Sequence, residues 1–289
     1  MSLSTLNRGR QAPTVGATRL RPLTWTFVVV VMVVSLIPFY WLINTYLKTG
    51  GDLTSGGLYP TNPTLNNYYT ALQDTSFLLA LRNSLIVGVV TTVLALTFGS
   101  FAAYALARLK MKRKGLILTL VLSVTTFPAI AIAAPIFSLW SSIGLYDTLV
   151  GLIIPKLTFA LPLAIFILTS FFREIPRELE EAAYIDGASP FVTFYRVMLP
   201  LGIPGIATTG ILVFIAVWNE FLLAVTLTSS ESARTVPVAI AFFSGTSEFD
   251  QPLGTISAAS VIVTIPLVIL VLICQKRIVS GLTAGAVKG

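Results

Sequence analysis

The sequence predicts an all-α membrane protein of six transmembrane helices, with both termini on the cytoplasmic side. Three observations carry that expectation. The 289 residues are 55% hydrophobic and only 11% charged, with a mean hydropathy of +0.87. A soluble domain of this size is seldom so apolar or so poor in charge. Six long apolar runs, 24–46, 84–107, 115–139, 149–172, 206–228 and 257–275, reach or nearly reach the ~20 residues a helix needs to cross a bilayer core. Backbone groups in lipid must bond internally, so these runs are helices and not open strands. Finally, most of the 19 Lys and Arg lie in alternate connecting segments. Arg8, Arg10, Arg19 and Arg21 precede the first run, and Arg108, Lys110, Lys112, Arg113 and Lys114 follow the second. Arg173, Arg177 and Arg196 follow the fourth, and Lys276, Arg277 and Lys288 the sixth. Such a bias places those segments in the cytoplasm. The pI near 9.7 is therefore a topology signal. The cluster 108–114 reads as a membrane-surface anchor and not as a nucleic-acid patch.

Residues 1–23 form a polar leader. The apolar run behind it is too long for a cleaved signal peptide and lacks a small-residue cleavage site. Residues 24–276 form the membrane domain, with outer loops at 47–83 and 229–256. The first outer loop contains Tyr59-Pro60 and Tyr68-Tyr69, enough for a short irregular or helical cap. The second contains Phe242-Phe243-Ser244-Gly245-Thr246. In the second span Ala95, Gly99, Ala103 and Ala107 recur every four residues, a series that suits close helix approach or reflects common membrane alanine. Pro128 and Pro135 in the third span, and Pro155 and Pro162 in the fourth, are each seven apart. Each proline frees a backbone carbonyl and is expected to bend its helix. Cys274 near the inner end of the last span is a small hydrophobe without an assigned role. A tail, 277–289, ends the chain.

The loop 173–205 is the most polar stretch between spans. Pro176 suits a helix start, and Glu178, Glu180 and Glu181 suit the positive end of the helix dipole. Leu179, Ala182 and Ala183 share one face. Gly187 suits the left-handed residue that ends a helix. Ser189 then caps a second helix with Pro190 at its first position. Phe191, Phe194, Val197 and Met198 form its apolar stripe, and Leu199-Pro200 is expected to stop it. Two short helices at an angle, with small residues at the exposed knuckle, can dock into a groove on another protein.

Lys156 and Glu220 lie within spans. At 1.5 Å per residue both sit roughly 10–12 Å below the outer surface, so they can pair. Intramembrane ions avoid lipid and face partners or a water-filled path. The pair either pins helices together or borders a solute path, with Trp218 and Asn219 in the same patch.

Several classes are excluded. There is no histidine and only one cysteine, so the usual zinc sets are missing. Catalysis with a histidine base is excluded as well. No Gly-Lys pair occurs, hence no phosphate-binding loop of the Walker type. The chain is expected to hold no cofactor and to catalyse no reaction itself.

Glu181-Ala182-Ala183, then Gly187, then Val197-Met198-Leu199-Pro200, resembles the cytoplasmic loop by which permease subunits of binding-protein-dependent ABC importers grip their ATPase. The family pattern has Ile where Val197 stands. Trp218-Asn219-Glu220-Phe221 and the ending Gly281-Leu282-Thr283-Ala284-Gly285-Ala286-Val287-Lys288-Gly289 resemble the carbohydrate-uptake branch, of maltose and trehalose type. The resemblance covers residue 24 to the C-terminus. It implies the type I ABC importer permease fold in a bacterial cytoplasmic membrane. It implies coupling to an ATPase through Glu181, Ala182, Ala183, Asp186, Gly187, Ser189, Leu199 and Pro200. The implied partners are a second homologous permease subunit, two ATPase subunits holding ATP and Mg, an external solute-binding protein and a sugar. The family further implies that loop 229–256 meets the binding protein, that the tail reaches between the ATPases, and that the main sugar site lies in the other permease. A membrane receptor or scaffold using the same loop is the alternative. A secondary transporter predicts inverted repeats, and none is visible.

Overall fold

A computed structural model describes residues 20–53, 56–243 and 252–284. The expectations on the leader up to residue 19, on Ser244-Gly245-Thr246, on the Cys274 side chain and on the last five residues lie outside the described residues. Among the described residues every regular element is a helix. The first span is α1, Leu20–Tyr46. A short outer cap follows, with α2 at Asn66–Gln73. Then come α3 at Thr75–Ala107, α4 at Lys114–Ser123, α5 at Ala129–Ile143 and α6 at Leu149–Glu174. A hairpin of α7, Glu178–Ile185, and α8, Pro190–Thr193, continues through a π turn, Phe194–Met198, into α9, Leu199–Leu201. The chain re-enters the bundle as α10, Ile203–Asn219, and ends with α11, Leu222–Leu227, α12, Val236–Ala241, and α13, Leu253–Ala284.

By length and composition, the stretches Thr24–Tyr46, Thr75–Ala107, Leu149–Glu174 and Leu253–Ile273 can each cross a membrane unbroken. The number is up to six if each of two bent pairs is one span: Lys114–Thr126 with Ala129–Ile143, bent by 82°, and Pro190–Leu201 with Ile203–Asn219, bent by 74°. We call the end of the bundle that carries the 175–201 hairpin the inner end, following the orientation predicted from the basic residues.

The centre is α3 against α6, the most extensive packing in the molecule, with α10 laid across both. The reason is visible in two rows of four-residue spacing. Val87, Thr91, Ala95, Gly99, Ala103 and Ala107 are buried on α3. Leu152, Lys156, Ala160, Ala164, Leu168 and Phe172 are buried on α6. Small residues let the backbones approach, which is how membrane helices gain packing when lipid is as apolar as leucine. At the crossing, a Cβ on Gly99 would lie 3.0 Å from the Ala164 Cβ. The small-residue series is therefore a packing device. The window of α1 that would span the membrane buries nothing, and this helix leans on α13 at the edge.

Several boundaries differ from the sequence expectation, each for a local reason. The second span begins at Thr75 and not at 84, because the Asp74 carboxylate accepts from the Phe77 N–H at 3.0 Å and caps it. The prolines of the fourth span do not break it. Pro155 leaves the Gly151 carbonyl without its helical donor, and the Trp140 indole N–H fills the vacancy at 2.7 Å. The third span does break, at Val124–Pro128. Leu199-Pro200 does not stop the second hairpin helix. Pro200 has no N–H for the Arg196 carbonyl and would crowd it. The preceding π turn, in which the Leu199 N–H reaches Phe194, accommodates this, and helix continues to Leu201. The fifth span is interrupted at Glu220-Phe221. At the end of the chain, residues 277–284 continue α13.

Candidate functional site

Two places gather the residues that the sequence singles out. The first is the hairpin. The chain leaves α6 through Ile175, extended ahead of Pro176, and α7 opens at Glu178 with its three glutamates in the first turn. At its end Gly187 takes φ +80°. The Ala188 N–H reaches the Ala183 carbonyl at 2.9 Å and the Gly187 N–H the Tyr184 carbonyl at 3.1 Å. Ser189 Oγ caps α8 by accepting from the Val192 N–H at 3.4 Å. Glu181, Ala182, Asp186, Gly187, Ser189 and Pro200 are exposed, and Ala183 and Leu199 are half-buried. Ile185 is 85% exposed, an apolar side chain at the tip beside the small knuckle.

The opposite face of the hairpin is fixed to the bundle by residues to which the sequence reading gives no anchoring role. Glu180 is buried, and its carboxylate lies 3.3 Å from Arg108 Nε at the end of α3. Arg108 Nη2 also donates to the Ile175 carbonyl. The Tyr104 hydroxyl lies 3.3 Å from that of Tyr184 and donates to the Pro190 carbonyl at 3.4 Å. Phe194 packs on the rings of Phe101, Tyr104 and Phe172. Phe101, Tyr104 and Arg108 follow helical spacing, so one face of α3, together with Phe172 of α6, receives the hairpin. This corrects the reading of Arg108 as part of a membrane-surface cluster: its side chain is only 4% exposed. The apolar stripe is corrected as well. Phe194 and Met198 are buried, Val197 is half-buried, and Phe191 is exposed while stacking on Phe101.

The second place is the interruption of the fifth span. Lys156 and Glu220 come together, with Nζ 3.1 Å from Oε2. The ammonium also donates to the carbonyls of Val217 at 3.2 Å and Glu220 at 3.1 Å. Glu220 Oε1 accepts from the Leu223 N–H at 2.7 Å and so caps α11. A cavity of about 340 Å³ adjoins the pair, with Thr125 and Phe127 from the broken third span and Phe159 from α6 in its wall. Trp218 and Asn219 do not join this patch. Trp218 is buried against Phe214, 5.4 Å between ring centroids. Asn219 is exposed and donates to the Ile215 carbonyl of its own helix at 2.9 Å.

At the outer end, the main chain beyond α11 is tied down from two sides. Asp147 Oδ1 accepts from the N–H groups of Ser229 and Ser230 at 2.8 and 3.0 Å. Burial pushes the Asp147 carboxyl up, but these bonds and the serine hydroxyls outweigh it and hold it below the ordinary carboxylate range. Asn83 Nδ2 on α3 donates to the carbonyls of Ser232 and Arg234. Among the described residues no group of acidic, cysteine or histidine side chains could hold a metal ion.

The family described as "binding-protein-dependent transport system inner membrane component" matches residues 95–283, a stretch that contains both places. The chain is 48% identical over 255 residues to the trehalose transport system permease protein SugB of Mycobacterium tuberculosis (strain CDC 1551 / Oshkosh), covering 88% of this chain and 93% of that protein. It is 41% identical over 271 residues to the sulfoquinovosyl glycerol transport system permease protein SmoH of Agrobacterium fabrum (strain C58 / ATCC 33970), covering 93% of this chain and 94% of that protein. In fold it is similar to a chain of a bacterial ABC transporter involved in the import of the acidic polysaccharide alginate. The TM-score is 0.73 at 24% identity, over 92% of this chain and 99% of that chain.

Proposed function

The chain belongs to the inner membrane components of binding-protein-dependent transport systems, and on that premise we propose that it is the permease subunit of an ATP-driven importer for a trehalose- or maltose-like sugar or related glycoside. Similarity to a trehalose permease and to a sulfoquinovosyl glycerol permease supports the substrate class. The partners are a second homologous permease, two ATPase subunits that carry ATP and Mg, and an external binding protein. Glu181, Ala182, Ala183, Asp186, Gly187, Ser189, Leu199 and Pro200 form the surface that couples to the ATPase.

One observation carries this reading. The hairpin presents small and polar residues outward while its other face is locked onto α3 and α6 by Glu180–Arg108, Arg108–Ile175 and Tyr104. A force applied at the knuckle reaches the span ends through contacts that cannot slip without exposing buried charge. The test is reconstitution of the chain with its cognate ATPase, second permease and binding protein in proteoliposomes. A Walker-type ATPase should copurify, and labelled trehalose or a related glycoside should accumulate only with ATP and binding protein present. Accumulation without ATP, or copurification of a non-ATPase partner in its place, would overturn it.

A further inference from the structure

Lys156 occupies a position on the buried row of α6 whose neighbours four residues apart are Leu152, Ala160, Ala164, Leu168 and Phe172. A cation inside a bundle needs a specific partner set to remain there. The ammonium donates to two carbonyls, those of Val217 and Glu220, and Glu220 Oε2 lies 3.1 Å away as its ion-pair partner. The Lys156 side chain is only 2% exposed, so it offers a solute almost no surface. Both carbonyls lie where α10 ends, and Val217's otherwise keeps only a 3.4 Å bond from the Glu220 N–H. The remaining oxygen of Glu220 takes the Leu223 N–H at the start of α11. Non-helical backbone at membrane depth survives only where its polar groups are satisfied by protein or water. Lys156 satisfies one side of the interruption and Glu220 the other.

The cavity beside this pair borders a second interruption, the break of the third span, whose Thr125 and Phe127 are exposed. Two broken spans thus face one space, with unbroken α6 between them.

We propose that Lys156 is a positioning residue for solute passage: it fixes the interruption of the fifth span, and with it the cavity wall made by Val217 and Glu220, without touching the solute. The proposal rests on the reading of the chain as a sugar permease. It separates Lys156 from an ordinary ion-pair member, because a carboxylate placed at 156 can accept but cannot donate to the two carbonyls. Arginine can donate to them.

The test uses the full reconstituted complex and labelled trehalose, with sugar imported per ATP hydrolysed as the readout and assembled complex measured separately. Lys156→Arg should keep the wild-type ratio within about threefold. Lys156→Met should lower it at least tenfold. The reversed pair, Lys156→Glu with Glu220→Lys, should stay as low as Lys156→Met. Rescue by the reversed pair would make this a plain ion pair and overturn the proposal. A wild-type ratio in all three variants, with only the assembled amount reduced, would make Lys156 structural and overturn it as well. So would failure of both non-donor variants to assemble while Lys156→Arg assembles normally. Absence of ATP-dependent uptake by the wild-type complex would instead overturn the functional reading, and this proposal with it.

Discussion

The inner hairpin and the interrupted fifth span solve one problem with opposite parts. In both, a cation on a long helix donates to a carbonyl at the end of another helix and pairs with a carboxylate nearby. At the hairpin the cation is Arg108, the last residue before α3 gives way to a polar loop, and the carboxylate is Glu180 on a short surface helix. At the interruption the cation is Lys156, in the body of α6, and the carboxylate itself sits in the break. A guanidinium spreads five donors in a fixed fork, whereas an ammonium is a compact point charge with three. The hairpin anchor can therefore lose its ion pair and retain a bond to Ile175. At the interruption Lys156 bonds two carbonyls of the break besides pairing with Glu220, so its loss undoes the ion pair and the backbone support together. The difference suits the two places. One must transmit a push through several parallel contacts, and the other must hold one local shape.

The largest expected effect tests that contrast directly. Arg108→Met strands the buried Glu180 carboxylate, which costs about 3–5 kcal/mol when one partner of a buried pair is removed. The hairpin should loosen and the ATPase should no longer copurify. Adding Glu180→Met removes the stranded charge, so the double variant should regain most of the attachment, with a coupling of at least ~1 kcal/mol between the two sites. The same cycle at Lys156→Met and Glu220→Gln should recover much less, because the Val217 and Glu220 carbonyls lose the lysine donor and neither substitution restores it. Equal recovery in the two cycles, read by copurification and thermal unfolding in detergent, would erase the distinction.

How much of this was legible in the sequence follows the same division. The hairpin's local order was legible because caps and turns are written in neighbouring residues: Glu178 to Glu181 at a start, Gly187 at an end, Ser189-Pro190 at the next start. Its anchor was not. Arg108 is one of five basic residues within seven positions, and nothing local distinguishes its buried side chain from the exposed Lys110, Lys112 and Arg113. Glu180 stands between Glu178 and Glu181 with the same chemistry. Only its place four residues before Tyr184, on the face turned to α3, sets it apart. At the interruption the situation reverses. Lys156 and Glu220 were conspicuous because each stands alone in an apolar run, and their depths matched. The break itself was invisible, since Trp218-Asn219-Glu220-Phe221 contains neither glycine nor proline. It exists because a lysine from another helix supplies the donors that the broken backbone needs. The start of α3 at Thr75 was legible in principle from Asp74. Polar Arg82 and Asn83 hid it, and Asn83 is spent on the carbonyls of Ser232 and Arg234.

A smaller effect should come from Gly187, which tests the local half of the hairpin and leaves the anchor alone. A Cβ at this position meets nothing within 4 Å, so space is not at issue. Its φ is +80°, and a branched side chain in the left-handed region costs about 1–2 kcal/mol. Gly187→Val should turn the knuckle away from the ATPase and lower copurification and uptake, while the chain still inserts at wild-type levels. Glu181→Lys should do the same from the exposed face by reversing a charge. Normal attachment in both would mean that coupling runs through Ile185 or another exposed residue and not through this knuckle.

The smallest effect belongs to Asp147, which sharpens the comparison by giving the outer region a pH dependence with no counterpart argued for the hairpin. Its carboxylate holds the main chain at Ser229 and Ser230, just beyond α11. Its folded pKa is lowered, since the bonds it accepts outweigh the upward push of burial. A lowered folded value means that the unfolded chain takes up the proton first as pH falls. The stabilisation is therefore complete above the unfolded value of about 3.9 and disappears as pH falls through the lower folded value. Asp147 is half-buried at the outer surface, and solvent screening keeps the contribution to about 1 kcal/mol. Asp147→Asn keeps an acceptor oxygen but loses the charge. The unfolding midpoint of the variant should therefore lie slightly below that of the wild type at pH 7, and the gap should close below about pH 4. A gap that stays constant over that range would show that the tie depends on shape and not on the carboxylate charge. Loop 144–148 and the segment after α11 would then be joined at the outer end as rigidly as the hairpin is joined at the inner one.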